Sequence, residues 1–222
     1  KESDYKKGQS FEKEKIFEIN KLSLKFYNYI LTEHKAGEKA LDYLLTKRKL
    51  NKAIINTFEL GFVPTSPTIL SDYLVRKKKY LPRDLILAGV AIERNGKLYD
   101  FFRNRIIFPL LDHRGNVTGF SGRSLNEEDM PKYINTKETS VYHKGSMFFG
   151  LNLAKDEIKQ KQDAIIVEGE FDVIALFMEG ITNTVAIKGT ALTGEQVNLL
   201  SRFTPKITLC LDQDVAGFEA TK

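Results

Sequence analysis

Carboxylate side chains follow two short apolar runs in the carboxy-terminal third of the chain. One run ends at Glu168, with Asp172 four residues later, and the other ends at Asp212, with Asp214 two residues later. Apolar runs of this length are typical of strands that are buried on both faces. Because parallel strands place their carboxyl ends at one edge of a sheet, where α/β folds bind ligands, we expect these four carboxylates to form an acidic cluster.

Crowded carboxylates repel one another unless a cation neutralises them. Oxygen ligands without a nearby His or Cys favour Mg²⁺ or Mn²⁺, so the sequence predicts a magnesium or manganese site. The chain has one Cys and three His, which excludes a zinc ribbon within it. Two alternatives stay open: Asp172 could instead cap the helix that it begins, and Asp214 could start a turn.

The composition of the chain limits its number of domains, its redox compartment and its relation to membranes. The chain has 222 residues, of which 42% are hydrophobic, enough for one large domain or two modest ones. Cys210 is the single cysteine, which suits a reducing cytoplasm. No apolar stretch is long enough for a membrane span, and the polar residues 1–15 resemble a linker rather than a signal peptide.

Charge is distributed unevenly along the chain. Residues 161–222 contain five Lys/Arg and nine Asp/Glu, a net charge of −4, whereas residues 1–160 carry 29 Lys/Arg and 20 Asp/Glu, a net charge of +9. A basic body joined to an acidic module suggests that a polyanion is guided toward a metal site. We interpret the basic run 76–79 as a solvated surface.

Several helices are predicted in the amino-terminal part. Apolar residues recur at helical spacing from Ile16 to Ile30, and Asn51 could cap a helix that reaches Phe58. Further helices are predicted at 40–46, 70–76 and 82–89. No internal repeat is evident.

The pattern changes after residue 90. Asn95-Gly96 predicts a hairpin turn, and residues 105–111 and 117–120 predict a second pair of strands. The charged stretch 155–161 resembles a connector, after which strands and helices alternate, as in a parallel sheet. We therefore predict an α/β protein with a linker at 1–15, an α+β basic subdomain at 16–160 and a parallel-sheet module at 161–222.

The two acidic motifs resemble those of a known fold family. Glu168-Gly169-Glu170-Phe171-Asp172 followed by Asp212-Gln213-Asp214 is similar to the Toprim fold of primases, topoisomerases and some nucleases. The resemblance implies that Glu168, Asp212 and Asp214 hold the metal and are catalytic, with Asp172 as a further candidate ligand. It also implies that the Toprim module continues beyond Lys222.

The basic segment 103–145 resembles the catalytic core of bacterial-type (DnaG-type) DNA primases. The matching motifs are Arg103-Asn104-Arg105, Gly119-Phe120-Ser121-Gly122-Arg123, Pro131-Lys132-Tyr133-Ile134-Asn135 and His143-Lys144-Gly145. The resemblance implies a nucleotide- and template-binding surface made by Arg48, Arg103, Arg105, Arg123, Lys132, Tyr133, Asn135 and Lys144. Other interpretations stay open: Arg103 and Arg105 could be exposed strand residues, Tyr133 a core edge and Arg48 a helix-terminal cation.

The function implied by this resemblance is the synthesis of short RNA primers on single-stranded DNA during replication, by metal-dependent nucleotidyl transfer. The implied partners are single-stranded DNA template, nucleoside triphosphates, RNA primer and, through a domain outside these residues, the replicative helicase. We expect weak or no primer synthesis by these 222 residues alone. The alternatives are a Toprim nuclease or topoisomerase and a non-catalytic nucleotide-binding module.

Overall fold

The computed structural model describes residues 2–126, 128–189 and 191–211, and these fall into two compact units. Residues 1–109 and 117–142 belong to the first unit, and residues 110–116 and 143–222 belong to the second. In the described part of the chain, no helix is long and apolar enough to cross a membrane. The proposed division at 160/161 stays a prediction.

The first unit begins with a long helix, α1 (Glu2–Thr32). This confirms the helix predicted from Ile16 to Ile30, but residues 2–15, predicted as a linker, are helical too. The linker prediction was wrong because it treated polarity as irregularity, although Glu and Lys are good helix formers. Ile16, Ile19 and Ile30 are buried, and the amide of Asn20 donates to the carbonyls of Val117 and Thr118.

Four short helices follow in the first unit. They are α2 (Glu38–Asp42), α3 (Lys52–Thr57), α4 (Ile69–Asp72) and α5 (Pro82–Leu87). The predicted cap is confirmed, since the Asn51 side chain accepts a hydrogen bond from Ile54 N at 2.9 Å. Helices α2 and α4 each continue into a five-residue π-helix, Tyr43–Lys47 and Tyr73–Lys77, which the helical periodicity did not predict.

These helices form an internal repeat, so the sequence-based conclusion that none is present was wrong. Each copy has a short α-helix, a π-helix that starts at a tyrosine, a second α-helix and a strand, and the second copy lies thirty positions after the first (Tyr43 and Tyr73). Equivalent backbone bonds close each π-helix, Arg48 N to Tyr43 O at 3.1 Å and Lys78 N to Tyr73 O at 3.2 Å. The π-helix segments are also alike in sequence, since residues 42–49 and 72–79 are identical at five of eight positions, a similarity too short to indicate a repeat without the structure.

Two sheets complete the first unit. Strands β1 (Gly61–Val63), β4 (Arg105–Leu111), β5 (Val117–Ser124) and β6 (Tyr133–Asn135) form one sheet in the order β1-β4-β5-β6, with the last residues of β4 belonging to the second unit. Strands β2 (Ala91–Arg94) and β3 (Lys97–Asp100) form the predicted hairpin at Asn95-Gly96, where both residues have positive φ.

The second unit is built on a four-stranded sheet in the order β10-β8-β9-β7. Strands β8 (Ala164–Val167), β9 (Thr184–Ile187) and β10 (Ile207–Leu209) are parallel, as predicted, and β7 (Phe148–Phe149) is antiparallel to β9. The predicted helices are α7 (Glu170–Met178) and α8 (Gly194–Leu200).

The charged stretch 155–161 is not a connector. It is the second half of helix α6 (Leu151–Lys161), whose residues Leu151, Ala154 and Ile158 are buried in the core of the second unit. The prediction was wrong because the charged residues occupy the exposed side of an amphipathic helix.

Candidate functional site

Glu168 lies at the carboxyl edge of the parallel sheet in the second unit. It directly follows β8, is half-buried, and precedes Gly169, after which α7 begins. The neighbouring strand β10 runs parallel to β8, and its extension is fixed by a hydrogen bond from Cys210 N to Ile166 O at 2.8 Å. The sheet therefore presents Glu168 at the edge where the sequence predicts the metal site.

Asp172 caps helix α7. Its carboxylate accepts a hydrogen bond from Gly169 N at 2.9 Å, and the side chain is exposed. A carboxylate in the first turn satisfies an amide that has no partner within the helix and interacts favourably with the helix dipole. The capping alternative thus has direct structural support, and the metal-ligand role of Asp172 stays a prediction.

Replacing Asp172 separates these two roles. We expect Asp172→Ala to lower the free energy of unfolding by about 1 kcal/mol because the cap is lost, and Asp172→Asn to lose less because its amide oxygen still accepts the bond. Urea unfolding measures both changes, and equal stability of native protein and Asp172→Ala would contradict the capping role. If Asp172→Asn keeps the native stability but binds Mn²⁺ more weakly, Asp172 is a metal ligand.

A buried ion pair lies at the same edge, and sequence reasoning missed it. The Lys188 ammonium, just after β9, pairs with the Glu170 carboxylate in the first turn of α7. Lys188 is 7% and Glu170 3% exposed, so both charges are almost entirely removed from water. No sequence pattern singles out this pair, because its partners are eighteen residues apart and meet only when β8 and β9 align.

Lys144 lies in the second unit as well. It begins a 3₁₀ turn at Lys144–Ser146, and its Cε lies 3.9 Å from the position that a Cβ on Gly189 would occupy. Gly189 follows Lys188, so the Lys144 side chain lies beside the loop that leaves β9. Lys144 is therefore a cation near the carboxyl edge of β9.

The remaining candidate ligands, Asp212 and Asp214, lie outside the described residues. Within the described residues no three His, Cys, Asp or Glu side chains group so as to hold a metal ion. The candidates that are described, Glu168 and Asp172, offer carboxylate oxygens only. That donor chemistry fits Mg²⁺ or Mn²⁺.

Aromatic and guanidinium groups contact one another in the first unit. Arg48 Nε donates to the hydroxyl of Tyr43 at 2.8 Å, and Arg123 Nη1 donates to the hydroxyl of Tyr133 at 3.2 Å. The Arg123 guanidinium lies 5.9 Å from the ring centre of Tyr43 and 5.5 Å from that of Tyr133. These contacts unite three predicted site residues around Tyr43, whose π-helix places it beside Arg48.

Arg105 is not the exposed strand residue of the alternative interpretation. It is 9% exposed, and its guanidinium donates to the carbonyls of Gly122, Pro131 and Lys132 at 3.0–3.1 Å. Burial lowers the pKa of Arg105, and the nearby Asp129 carboxylate opposes that shift. Arg105 therefore fixes the backbone that carries Lys132, whose side chain is exposed.

Arg103 is exposed and lines two neighbouring cavities of about 510 and 530 Å³. Both cavities are also lined by Arg94, Phe101 and Ile134. Cations beside an aromatic ring are the features with which proteins bind single-stranded nucleic acid. Asn135, on β6, has a buried side-chain oxygen that accepts no hydrogen bond within the described structure.

Comparison with protein-family models shows which of the families that contain a Toprim domain this chain resembles. Residues 26–155 match the family model "DNA primase catalytic core, N-terminal domain", and residues 162–222 match the Toprim domain. The chain belongs to the DNA primase catalytic-core family. A Toprim nuclease or topoisomerase would explain the match at residues 162–222. It would not explain the match at residues 26–155, which covers more than half of the chain.

Curated relatives and solved structures agree with this assignment. The chain is 41% identical over 215 residues to the DNA primase of Synechococcus elongatus, covering 95% of this chain and 30% of that protein. It is 33% identical to the RNA polymerase domain of the Mycobacterium tuberculosis primase, with a TM-score of 0.85 and coverage of 92% and 68%. A primase catalytic domain bound to single-stranded DNA gives 34% identity, a TM-score of 0.85 and coverage of 96% and 65%.

The chain spans about a third of the length of the curated primases that it matches. Primase cores with a Toprim domain use divalent metal ions as a class. The α/β fold predicted from the sequence is confirmed by the Toprim match and by the primase core structures.

Proposed function

We propose that this chain is the part of a DNA primase that synthesises short RNA primers on a single-stranded DNA template during replication. The observation that carries the proposal is the match of the primase core family to residues 26–155, followed directly by the Toprim match to residues 162–222. The single-stranded DNA bound to a related catalytic domain supports the template assignment. The proposed location is the cytoplasm.

Glu168, Asp212 and Asp214 are the proposed ligands of Mg²⁺ or Mn²⁺, with Asp172 as a further candidate. A divalent ion held there would stabilise the charge of the triphosphate and activate the primer 3′ oxygen. Gly169 lies within the tight turn between β8 and α7, so Glu168 is carried on a strand end rather than on a long loop. The Lys188 ammonium neutralises Glu170, which keeps that carboxylate in the protein interior.

The proposed nucleotide- and template-binding residues divide into three groups by exposure. Lys132, Arg103 and Lys144 are exposed and are proposed to contact nucleotide or template phosphates directly, since Arg and Lys are the usual phosphate-binding side chains. The half-buried Arg48, Tyr133 and Asn135 are proposed to contribute to binding on the first unit, with the Tyr133 ring available for stacking. Arg123 and Arg105 are buried and are proposed to position Tyr133 and Lys132.

The proposed ligands are therefore single-stranded DNA, nucleoside triphosphates and the growing RNA primer. The replicative helicase is a further proposed partner, through a domain outside these residues.

Primer synthesis on single-stranded DNA with ribonucleotides and Mg²⁺ tests the proposal, and it is measured in a full-length primase that carries these residues, since we expect little synthesis by the 222 residues alone. We expect Glu168→Gln to lower the rate by about 100-fold, because a charged ligand at the reacting centre is lost. The control Glu195→Gln removes an exposed carboxylate from α8 of the same unit and should keep the native rate. Equal rates for native protein and Glu168→Gln would remove Glu168 from the catalytic site.

Binding of a nucleoside triphosphate gives a second readout that does not depend on turnover. We expect Mn²⁺ to strengthen triphosphate binding and Asp212→Asn to abolish that gain. Binding that is unaffected by Mn²⁺ and by Asp212→Asn would instead support a non-catalytic nucleotide-binding module.

A further inference from the structure

The internal repeat gives the first unit two versions of one local structure. In each copy a π-helix begins at a tyrosine and ends in a basic segment, Lys47-Arg48-Lys49 in the first and Lys77-Lys78-Lys79 in the second. The last lysine of each segment has a left-handed backbone, with φ of 58° at Lys49 and 64° at Lys79. The chain after it is fixed by Leu50 N to Leu44 O in one copy and Tyr80 N to Leu74 O in the other.

The same cation–ring contact recurs in both copies. The Arg48 guanidinium lies 5.5 Å from the centre of the Tyr43 ring, and the Lys78 ammonium lies 5.7 Å from the centre of the Tyr73 ring. A cation above the face of an aromatic ring is attracted by its quadrupole, which orders a side chain that would otherwise sample many rotamers. The repeated backbone therefore presents an ordered cation at two places.

The tyrosine of each copy is held by a second contact. Tyr43 is approached by Arg123, whereas Tyr73 stacks on Phe26 of α1 with ring centres 4.9 Å apart and an interplanar angle of 27°. The first copy is thus joined to the predicted nucleotide and template surface. The second is anchored on α1 and has no role in the site as predicted from the sequence.

The charges of the second copy are available to a ligand. Arg76 forms an ion pair with Asp72 at 3.0 Å, whereas Lys77, Lys78 and Lys79 are exposed and have no carboxylate partner within the described residues. Three ammonium groups in succession with no neutralising acid favour a polyanion. The sequence alone indicated that residues 76–79 are a solvated surface. The structure shows more, because Lys78 lies against Tyr73 as Arg48 lies against Tyr43.

We propose that Tyr73–Lys79 is a second contact site for the phosphates of the single-stranded DNA template, equivalent to Tyr43–Lys49. The inference rests on the proposed function, which supplies the strand, and adds a site that the primase motifs do not include. The Lys77, Lys78 and Lys79 ammonium groups bind successive phosphates as point charges, and Tyr73 orders Lys78. This site contributes affinity without base specificity, since phosphate contacts carry no sequence information.

The salt dependence of binding to oligothymidylate tests the site. Each phosphate contact to a single strand contributes about 0.7 to the slope of log K against log salt concentration. We expect the Lys77→Gln/Lys78→Gln/Lys79→Gln variant to bind more weakly and to lower the magnitude of the slope by about 2. A variant in which the same three lysines are replaced by Arg should keep the native slope, because all three positive charges are present.

A matched control separates local contact from loss of net charge. Lys13→Gln/Lys21→Gln/Lys25→Gln removes three exposed lysines from α1, outside the repeat, and should leave the slope close to native. Equal changes in the two triple variants would overturn the second site while leaving the proposed function standing. If the native chain does not bind oligothymidylate at all, template binding fails as well, so the two failures are distinguishable.

Discussion

Replacing Lys188 by Met is expected to lower the free energy of unfolding by about 3–5 kcal/mol, because it leaves the Glu170 carboxylate buried without its counter-charge. Glu170 is 3% exposed and lies in the first turn of α7, so it cannot reach water without moving the start of that helix. A loss of this size is a large part of the stability of an ordinary domain. Urea unfolding, followed by circular dichroism, measures it.

The double variant Lys188→Met/Glu170→Met is the control. Because it replaces the pair by apolar side chains of similar length, its stability should be close to native, as other buried ion pairs allow. A double variant as unstable as Lys188→Met would show that the loss comes from packing and not from the unmatched charge. Because α7 follows Glu168 and Gly169 directly, we also expect Lys188→Met to weaken Mn²⁺ binding.

Replacing Arg105 by Gln is expected to lower the free energy of unfolding by about 3 kcal/mol, because carbonyls that accept from a buried guanidinium lose their donors. Those carbonyls belong to Gly122, Pro131 and Lys132, so the loss also frees the segment that carries Lys132. Lysine cannot substitute, since it lacks the planar fork that reaches several acceptors at once. Thermal unfolding of Arg105→Gln and Arg105→Lys measures the effect.

Arg103→Gln is the matched control for Arg105→Gln. Arg103 is exposed and lines the cavities beside Phe101, so its replacement should leave stability within about 0.5 kcal/mol of native and weaken single-stranded DNA binding. The two arginines are separated by one residue and have the same charge. Equal losses of stability in both variants would contradict the structural role of Arg105.

Elements marked by regularly spaced apolar residues, by a capping residue or by a turn motif were predicted well from the sequence. The helix from Ile16 to Ile30, the cap at Asn51 and the hairpin at Asn95-Gly96 follow from local chemistry, and all three are confirmed. Predictions from polarity alone were less reliable. Residues 2–15 and 155–161 are charged and helical, since charge reports solvent exposure rather than the absence of regular structure.

The amino-acid sequence by itself determined the family-specific motifs, the alternation of strands and helices after residue 161 and the placement of Glu168 after a buried strand. These features are local, because each depends on residue type and spacing along the chain. The tertiary structure alone decided which charges are buried and what they contact. Arg103 and Arg105 have the same side chain, yet Arg103 is exposed and Arg105 is buried with its guanidinium bound to three carbonyls. Lys188 and Glu170 become a pair only when two parallel strands align. The repeat of Tyr43 and Tyr73 is marked in the sequence by a shared Asp-Tyr-Leu and two lysines, but only the backbone bonds of the structure show that both segments form the same π-helix.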